Sequence, residues 1–88
     1  MKSSVYILLL ENGQYYIGSS TDVNTRFVQH KSGTTKSLKG KKPIEIVFTQ
    51  EFDSISVARK VENKIKRYKS RKIIEKIIKD KVINNLGL

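Results

Sequence analysis

Between Val5 and Ser19 the chain reads VYILLLENGQYYIGS: two β-branched and aromatic runs separated by a polar turn. Asn12-Gly13 is a strong hairpin signal, because both residues accept the left-handed backbone that tight hairpin turns require. Two antiparallel strands, Val5 to Leu10 and Tyr15 to Ser19, are therefore expected. Two registers compete. A two-residue turn on Asn12-Gly13 pairs Leu9 with Tyr16 and puts Tyr6 and Tyr16 on opposite faces. A three-residue loop, Glu11-Asn12-Gly13 with Gly13 left-handed, pairs Leu8 with Tyr16 and Tyr6 with Gly18, which brings both tyrosines to one face. Local chemistry permits either.

Beyond the hairpin, Thr21 or Asp22 can cap a helix over Val23 to Lys31, and Ser32-Gly33 can end it. A lysine-rich loop from Lys31 to Pro43 then leads to IEIVFTQEF, which alternates as a third strand. Asp53 or Ser54 caps a second helix running to about Lys69, with an apolar stripe of Ala58, Val61, Ile65 and Tyr68. Ser70 caps a third, with Ile73, Ile74, Ile77 and Ile78 on its inner side. The order β-β-α-β-α-α predicts an α+β domain, a three-stranded antiparallel sheet flanked by helices. No internal repeat or interdomain linker breaks the chain. One domain over residues 1–83, with a short tail at 84–88, is expected.

Eighty-eight residues support one real but small core, burying ~60–65% of the unfolded surface. The chain contains no cysteine, which excludes disulfides and thiolate metal sites. The apolar run after Met1 is far too short for a signal peptide or membrane span, so a cytoplasmic protein is expected. Charge is the strongest global signal: 18 Lys and Arg against 8 Asp and Glu give a net charge of +10. That imbalance points to a polyanionic partner, nucleic acid first and an anionic membrane surface second.

Arg26 and the only histidine, His30, lie one helical turn apart and project about 40° from each other. This places both at the rim of the buried stripe, close to the sheet. There Arg26 can grip a phosphate bidentately, and His30, titrating near neutrality, can exchange protons. Gly18 lets a ligand approach the strand. The competing reading is a solvated arginine and a rim histidine packed on Phe27. Glu62 is an acid inside the basic segment RKVENKIKR, at the edge of the core face of the second helix. A carboxylate there suits a hard divalent cation; it equally suits an i,i+4 salt bridge to Lys66. Lys31, Lys36, Lys39, Lys41 and Lys42, with Lys66, are candidates to track a phosphate backbone.

Taken together, Tyr6, then Tyr16-Ile17-Gly18, then Arg26 and His30 on one helix and Glu62 on the next resemble a GIY-YIG endonuclease domain. The likeness is to its small stand-alone members, similar to the amino-terminal nuclease domain of the excinuclease C subunit. It runs from about Val5 to Lys81 and takes in YIGSSTDVNTRFVQHKSG and ARKVENKIK. The first motif reads Ser4-Val5-Tyr6 without its glycine. Ile74 to Ile77 fill the window in which many relatives carry an asparagine.

The resemblance implies that Tyr6 is a general base for the attacking water and that Tyr16 positions water and phosphate. It also implies that Arg26 stabilises the pentacovalent phosphate, that His30 assists the proton relay, and that Glu62 holds a single Mg²⁺ or Mn²⁺. For Tyr6 to act as a base its pKa, ordinarily ~10, must fall, and Arg26, a metal and the basic field all push that way. The resemblance also selects the three-residue hairpin loop. Low sequence specificity is expected, since no recognition domain is read in this sequence.

The leading expectation is thus a metal-dependent endonuclease acting in repair or recombination, with DNA expected as its substrate ahead of RNA and a protein partner left open. A nucleic-acid-binding module with weak or absent catalysis is the alternative. A membrane- or ribosome-surface binder using the basic third helix is a third reading, and it requires the four isoleucines of that helix to be exposed.

Overall fold

The hairpin closes through the three-residue loop Glu11-Asn12-Gly13. Gly13 adopts φ 83°, a conformation that costs a side-chain-bearing residue dearly. Its N–H donates to the Leu10 carbonyl at 3.0 Å, and the Leu10 N–H donates to the Gln14 carbonyl at 2.9 Å. The Asn12 side chain accepts from the Gln14 N–H at 3.0 Å and locks the turn. Leu8 consequently faces Tyr16 and Tyr6 faces Gly18 across the ladder. Both tyrosines share one face.

The computed structural model describes residues 2–31, 42–81 and 83. Its elements are β1 (Ser3–Leu10), β2 (Tyr15–Ser20), α1 (Val23–Lys31), β3 (Pro43–Phe52), α2 (Ile55–Tyr68) and α3 (Arg71–Asp80). This is the expected β-β-α-β-α-α order, an α+β fold. The sheet is antiparallel throughout in the order β2-β1-β3. The expected helix end at Ser32-Gly33, Lys36, Lys39 and Lys41 of the basic loop, and the 84–88 tail lie outside the described residues.

Central β1 is covered on both faces, which explains its unbroken apolar run. Val5 and Ile7 join Ile17, Phe48, Ala58, Val61, Ile65 and Ile77 in the larger cluster, under α2 and α3. Tyr6, Leu8 and Leu10 point the other way, against Tyr16, Val23, Phe27 and Ile46. A β-bulge on β3 makes this two-sided packing possible. Ile7 pairs with Phe48 while Leu8 pairs with Ile46, so Val47 is left over. The extra residue sends Phe48 to one cluster and Ile46 to the other, although strict alternation would put them together.

Each helix starts on a side chain that accepts a free N–H. Asp22 takes the Thr25 N–H at 3.1 Å, Ser54 that of Val57 and Ser70 that of Ile73. Where two caps were expected, at the first and second helices, the residue nearer the helix is used, and Ser70 caps the third as expected. Tyr68 departs from expectation: it is 40% exposed rather than core, because α2 ends there and turns through left-handed Lys69. On α3, Ile77 is buried and Ile73, Ile74 and Ile78 pack against the larger cluster. Their burial removes the apolar face that a membrane- or ribosome-surface reading needed. No described helix is long and apolar enough to cross a membrane.

Candidate active site

The smaller of the two clusters holds the polar chemistry. Tyr6 projects from β1 and is only 1% exposed. Its ring lies over Gly18, so closely that a Cβ there would sit 2.5 Å from the hydroxyl oxygen and 2.6 Å from Cζ. Sequence reasoning gave that open space to a ligand. The structure corrects this: the Tyr6 ring fills it, and Gly18 is buried beneath.

The Tyr6 hydroxyl and His30 Nε2 are 3.0 Å apart. His30 lies in the last turn of α1 and is 1% exposed, not at the rim. The cause is the tyrosine pair, whose rings extend α1's covered surface. Tyr16 meets the imidazole edge-on with centroids 4.9 Å apart, and the two tyrosine rings are 6.4 Å apart. His30 Nδ1 is buried without a hydrogen-bond partner among the described residues. Burial, and then the charge of Arg26, hold the imidazole below its ordinary pKa of 6.5. The neutral imidazole is therefore favoured beyond what a free histidine shows.

Tyr6 likewise departs from the expected direction. Burial raises its pKa above the ordinary 10.0, and the pull of Arg26 does not offset it. Tyr16 and the negative charge of Glu62 raise it further. Desolvation outweighs the basic field because the ring is sealed between Gly18 and α1. Arg26, one turn before His30, is half-buried, and its Nη1 donates to Gln29 Oε1 at 3.1 Å.

Glu62 arrives from the opposite layer. Its helix, α2, packs on the other face of the sheet, and the carboxylate reaches β2, an edge strand. Ser19 Oγ donates to Oε1 at 2.6 Å, and Lys66 Nζ donates to Oε2 at 2.6 Å. The side chain is only 16% exposed. The expected i,i+4 ion pair with Lys66 forms, and the carboxylate is within electrostatic reach of Tyr6. Ser19 was missed. Its signal was the alternation of Tyr15, Ile17 and Ser19, which puts the hydroxyl on α2's side of the strand.

Tyr6, Tyr16, Arg26 and His30 thus come together, with Glu62 at the adjacent sheet edge. Lys66 is tied to Glu62 rather than free for a phosphate. Lys31 is exposed, with Nζ 5.3 Å from the Phe27 ring centre. Lys42 is exposed, and its carbonyl accepts from Glu11 N–H at 2.8 Å. Among the described residues no three acidic, histidine or cysteine side chains cluster as metal ligands. Glu62 fits a divalent cation only as a single carboxylate, with water and phosphate oxygens completing the shell, which is how Mg²⁺ is commonly held beside phosphates.

A buried tyrosine–histidine pair backed by arginine, on a β-β-α-β-α-α frame with an acid from the next layer, defines a class. The chain matches the GIY-YIG catalytic domain over residues 2–79 and belongs to that nuclease-type family. Within the family it is similar to small proteins designated UPF0213. It is 36% identical over 64 residues to UPF0213 protein plu4503 of Photorhabdus laumondii, covering 72% of this chain and 62% of that protein. It is 31% identical over 77 residues to UPF0213 protein SSP2268 of Staphylococcus saprophyticus, covering 86% and 94%. The solution NMR structure of UPF0213 protein BH0048 from Bacillus halodurans superposes with a TM-score of 0.60 at 35% identity, over 92% of this chain and 86% of that one.

Proposed function

We propose that this protein is a divalent-cation-dependent endonuclease of low sequence specificity. In this reading it hydrolyses phosphodiester bonds in DNA during repair or recombination, and works in the cytoplasm. The observation that carries this reading is the buried contact between the Tyr6 hydroxyl and His30 Nε2, 3.0 Å apart. Tyr6 cannot work as a preformed phenolate, since burial disfavours the anion. It can work as a relay. Tyr6 takes the proton of the attacking water while passing its own to Nε2 of neutral His30, whose Nδ1 already carries the other N–H. The histidine's depressed pKa keeps it ready to accept.

Arg26 stands beside this pair and stabilises the doubly charged phosphorane as the new P–O bond forms. Tyr16 packs the imidazole in place. Glu62, its carboxylate aimed by Ser19, would hold one Mg²⁺ or Mn²⁺. Such an ion, when bound, supplies Lewis-acid stabilisation at the leaving oxygen.

The test is cleavage of branched, single-stranded and duplex DNA, and of RNA, with Mg²⁺ or with a chelator. Glu62→Ala and Tyr6→Phe are the variants. Cleavage should require the metal and fall on the order of 10³-fold or more in each variant. A parent protein without Mg²⁺-dependent cleavage that these changes abolish would overturn the reading. It would leave a nucleic-acid-binding module in its place. That alternative draws on the engagement of both Glu62 oxygens by Ser19 and Lys66.

A further inference from the structure

The outer side of β2 opens on two adjoining hollows that the catalytic proposal does not use, of about 270 and 390 Å³. Tyr15, Lys69 and Ile74 line both. The first also takes in Tyr16 and Lys66 and so begins at the partner of Glu62; the second runs on to Arg71. Three cations border this path, and no acidic side chain lines it.

Arg71 is held in a fixed plane. Its guanidinium carbon lies 4.8 Å from the Tyr15 ring centre, its Nη1 donates to the Gly13 carbonyl at 2.9 Å, and its Nε is 3.5 Å from Glu75. The side chain is nevertheless 58% exposed. A guanidinium held over an aromatic ring by a backbone hydrogen bond, and still more than half exposed, offers a surface on which a base can stack. Lys69 supplies a second observation. It occupies a left-handed helix end, φ 47°, where glycine is the inexpensive residue. The chain carries instead a lysine that lines both hollows.

We propose that this path is a subsite for one unpaired nucleotide of a nucleic-acid strand. The base stacks on the exposed side of Arg71, and the adjoining phosphate is taken by Lys69. A duplex keeps its bases stacked inward and offers this concavity only phosphates, whereas a splayed base offers it a π-face. The path begins beside Glu62, so the occupant is the strand that also crosses the candidate active site, and the subsite rests on the nucleic-acid reading above. The shared chemistry is a base with adjoining phosphates, from DNA or RNA.

The test is fluorescence anisotropy of the full chain in chelator, so that neither metal nor cleavage enters. Labelled single-stranded DNA, single-stranded RNA, a forked duplex and a blunt duplex are compared. Lys69→Gly, at a position that favours glycine, should keep or raise Tm. It should weaken single-strand and fork binding several-fold and lower the single-strand salt slope by about 0.7, with a smaller effect on the blunt duplex. Arg71→Lys, which keeps the charge and loses the plane, should weaken the same probes by roughly fivefold or more. The larger loss on DNA or on RNA identifies the polymer. Equal losses on fork and blunt duplex, or none on either, overturn the subsite while nucleic-acid binding stands. Failure of the parent to bind any probe overturns both.

Discussion

Gly18→Ala is the smallest change that strikes the centre of the site. The added methyl would lie 2.5 Å from the Tyr6 hydroxyl oxygen, 2.6 Å from Cζ and 3.1 Å from Cε2. No flexible chain end can swing aside, because the ring is 1% exposed and wedged against His30 and Tyr16. Overpacking of this kind costs ~1–3 kcal/mol, and loss of the Tyr6–His30 hydrogen bond adds about 1 kcal/mol. Alanine returns ~0.5–1 kcal/mol through its better strand propensity. The balance is a destabilisation of about 2 kcal/mol, a Tm drop of roughly 8–16 °C in a domain of this size.

Urea unfolding of a double-mutant cycle isolates the cause. In a Tyr6→Leu background the hydroxyl and Cζ are gone, so Gly18→Ala should become neutral or slightly stabilising there, a coupling of ~2 kcal/mol. An equal cost in both backgrounds would refute the claim that glycine is present to admit the Tyr6 ring. Gly18→Ala should also abolish any cleavage, since it displaces the hydroxyl from His30 Nε2.

Three further outcomes follow from the charges. His30 has a folded pKa below its ordinary 6.5, owing to burial and Arg26, so the unfolded chain takes up that proton first. Its contribution to stability is present above about 6.5 and is lost as pH falls below it; a Tm series from pH 5 to 8 should show this slope, and His30→Leu should flatten it. Tyr6, with its folded pKa raised above 10.0 by burial, ionises first in the unfolded chain, so stability should fall as pH rises past 10, and Tyr6→Phe should remove that loss. Glu62→Ala should hold nucleic acid as tightly as the parent or more tightly, because it removes an anion from a basic surface and frees Lys66; weaker binding in a chelator-containing anisotropy assay would contradict this.

The sequence was most informative where period and turn chemistry coincide. Asn12-Gly13 and the two apolar runs specify the hairpin, but the choice between its registers needed the family resemblance, since both loops are chemically sound. The helix stripes were legible because Ala58, Val61, Ile65 and the α3 isoleucines repeat at helical spacing. Three features were not. Burial of His30 depends on how far the tyrosine rings extend α1's covered surface, a tertiary quantity that its helical position does not encode. The space over Gly18 reads as vacant in one dimension and is filled only once Tyr6 is known to lie opposite. The direction of the Tyr6 pKa was misjudged for the same reason: a net charge of +10 is visible in composition, whereas desolvation of one hydroxyl is not.

Adjacent residues of β2 explain how helices in two layers address one site. Gly18 faces the α1 side and admits Tyr6; Ser19 faces the α2 side and grips Glu62. Because β2 is an edge strand, Glu62 need only reach its margin, and the carboxylate and the tyrosine act across a single strand's thickness. Alternation makes this arrangement depend on register to the residue. A slip of one position, the outcome of a two-residue turn, would place Ser19 opposite Tyr6 and turn Tyr16 away from it. It would also set a side chain where the Tyr6 ring now lies, and it would take the hydroxyl from Glu62. Gly13 prevents that slip. Its left-handed backbone closes the three-residue loop, far from the chemistry, and so fixes which residues of β2 face each helix.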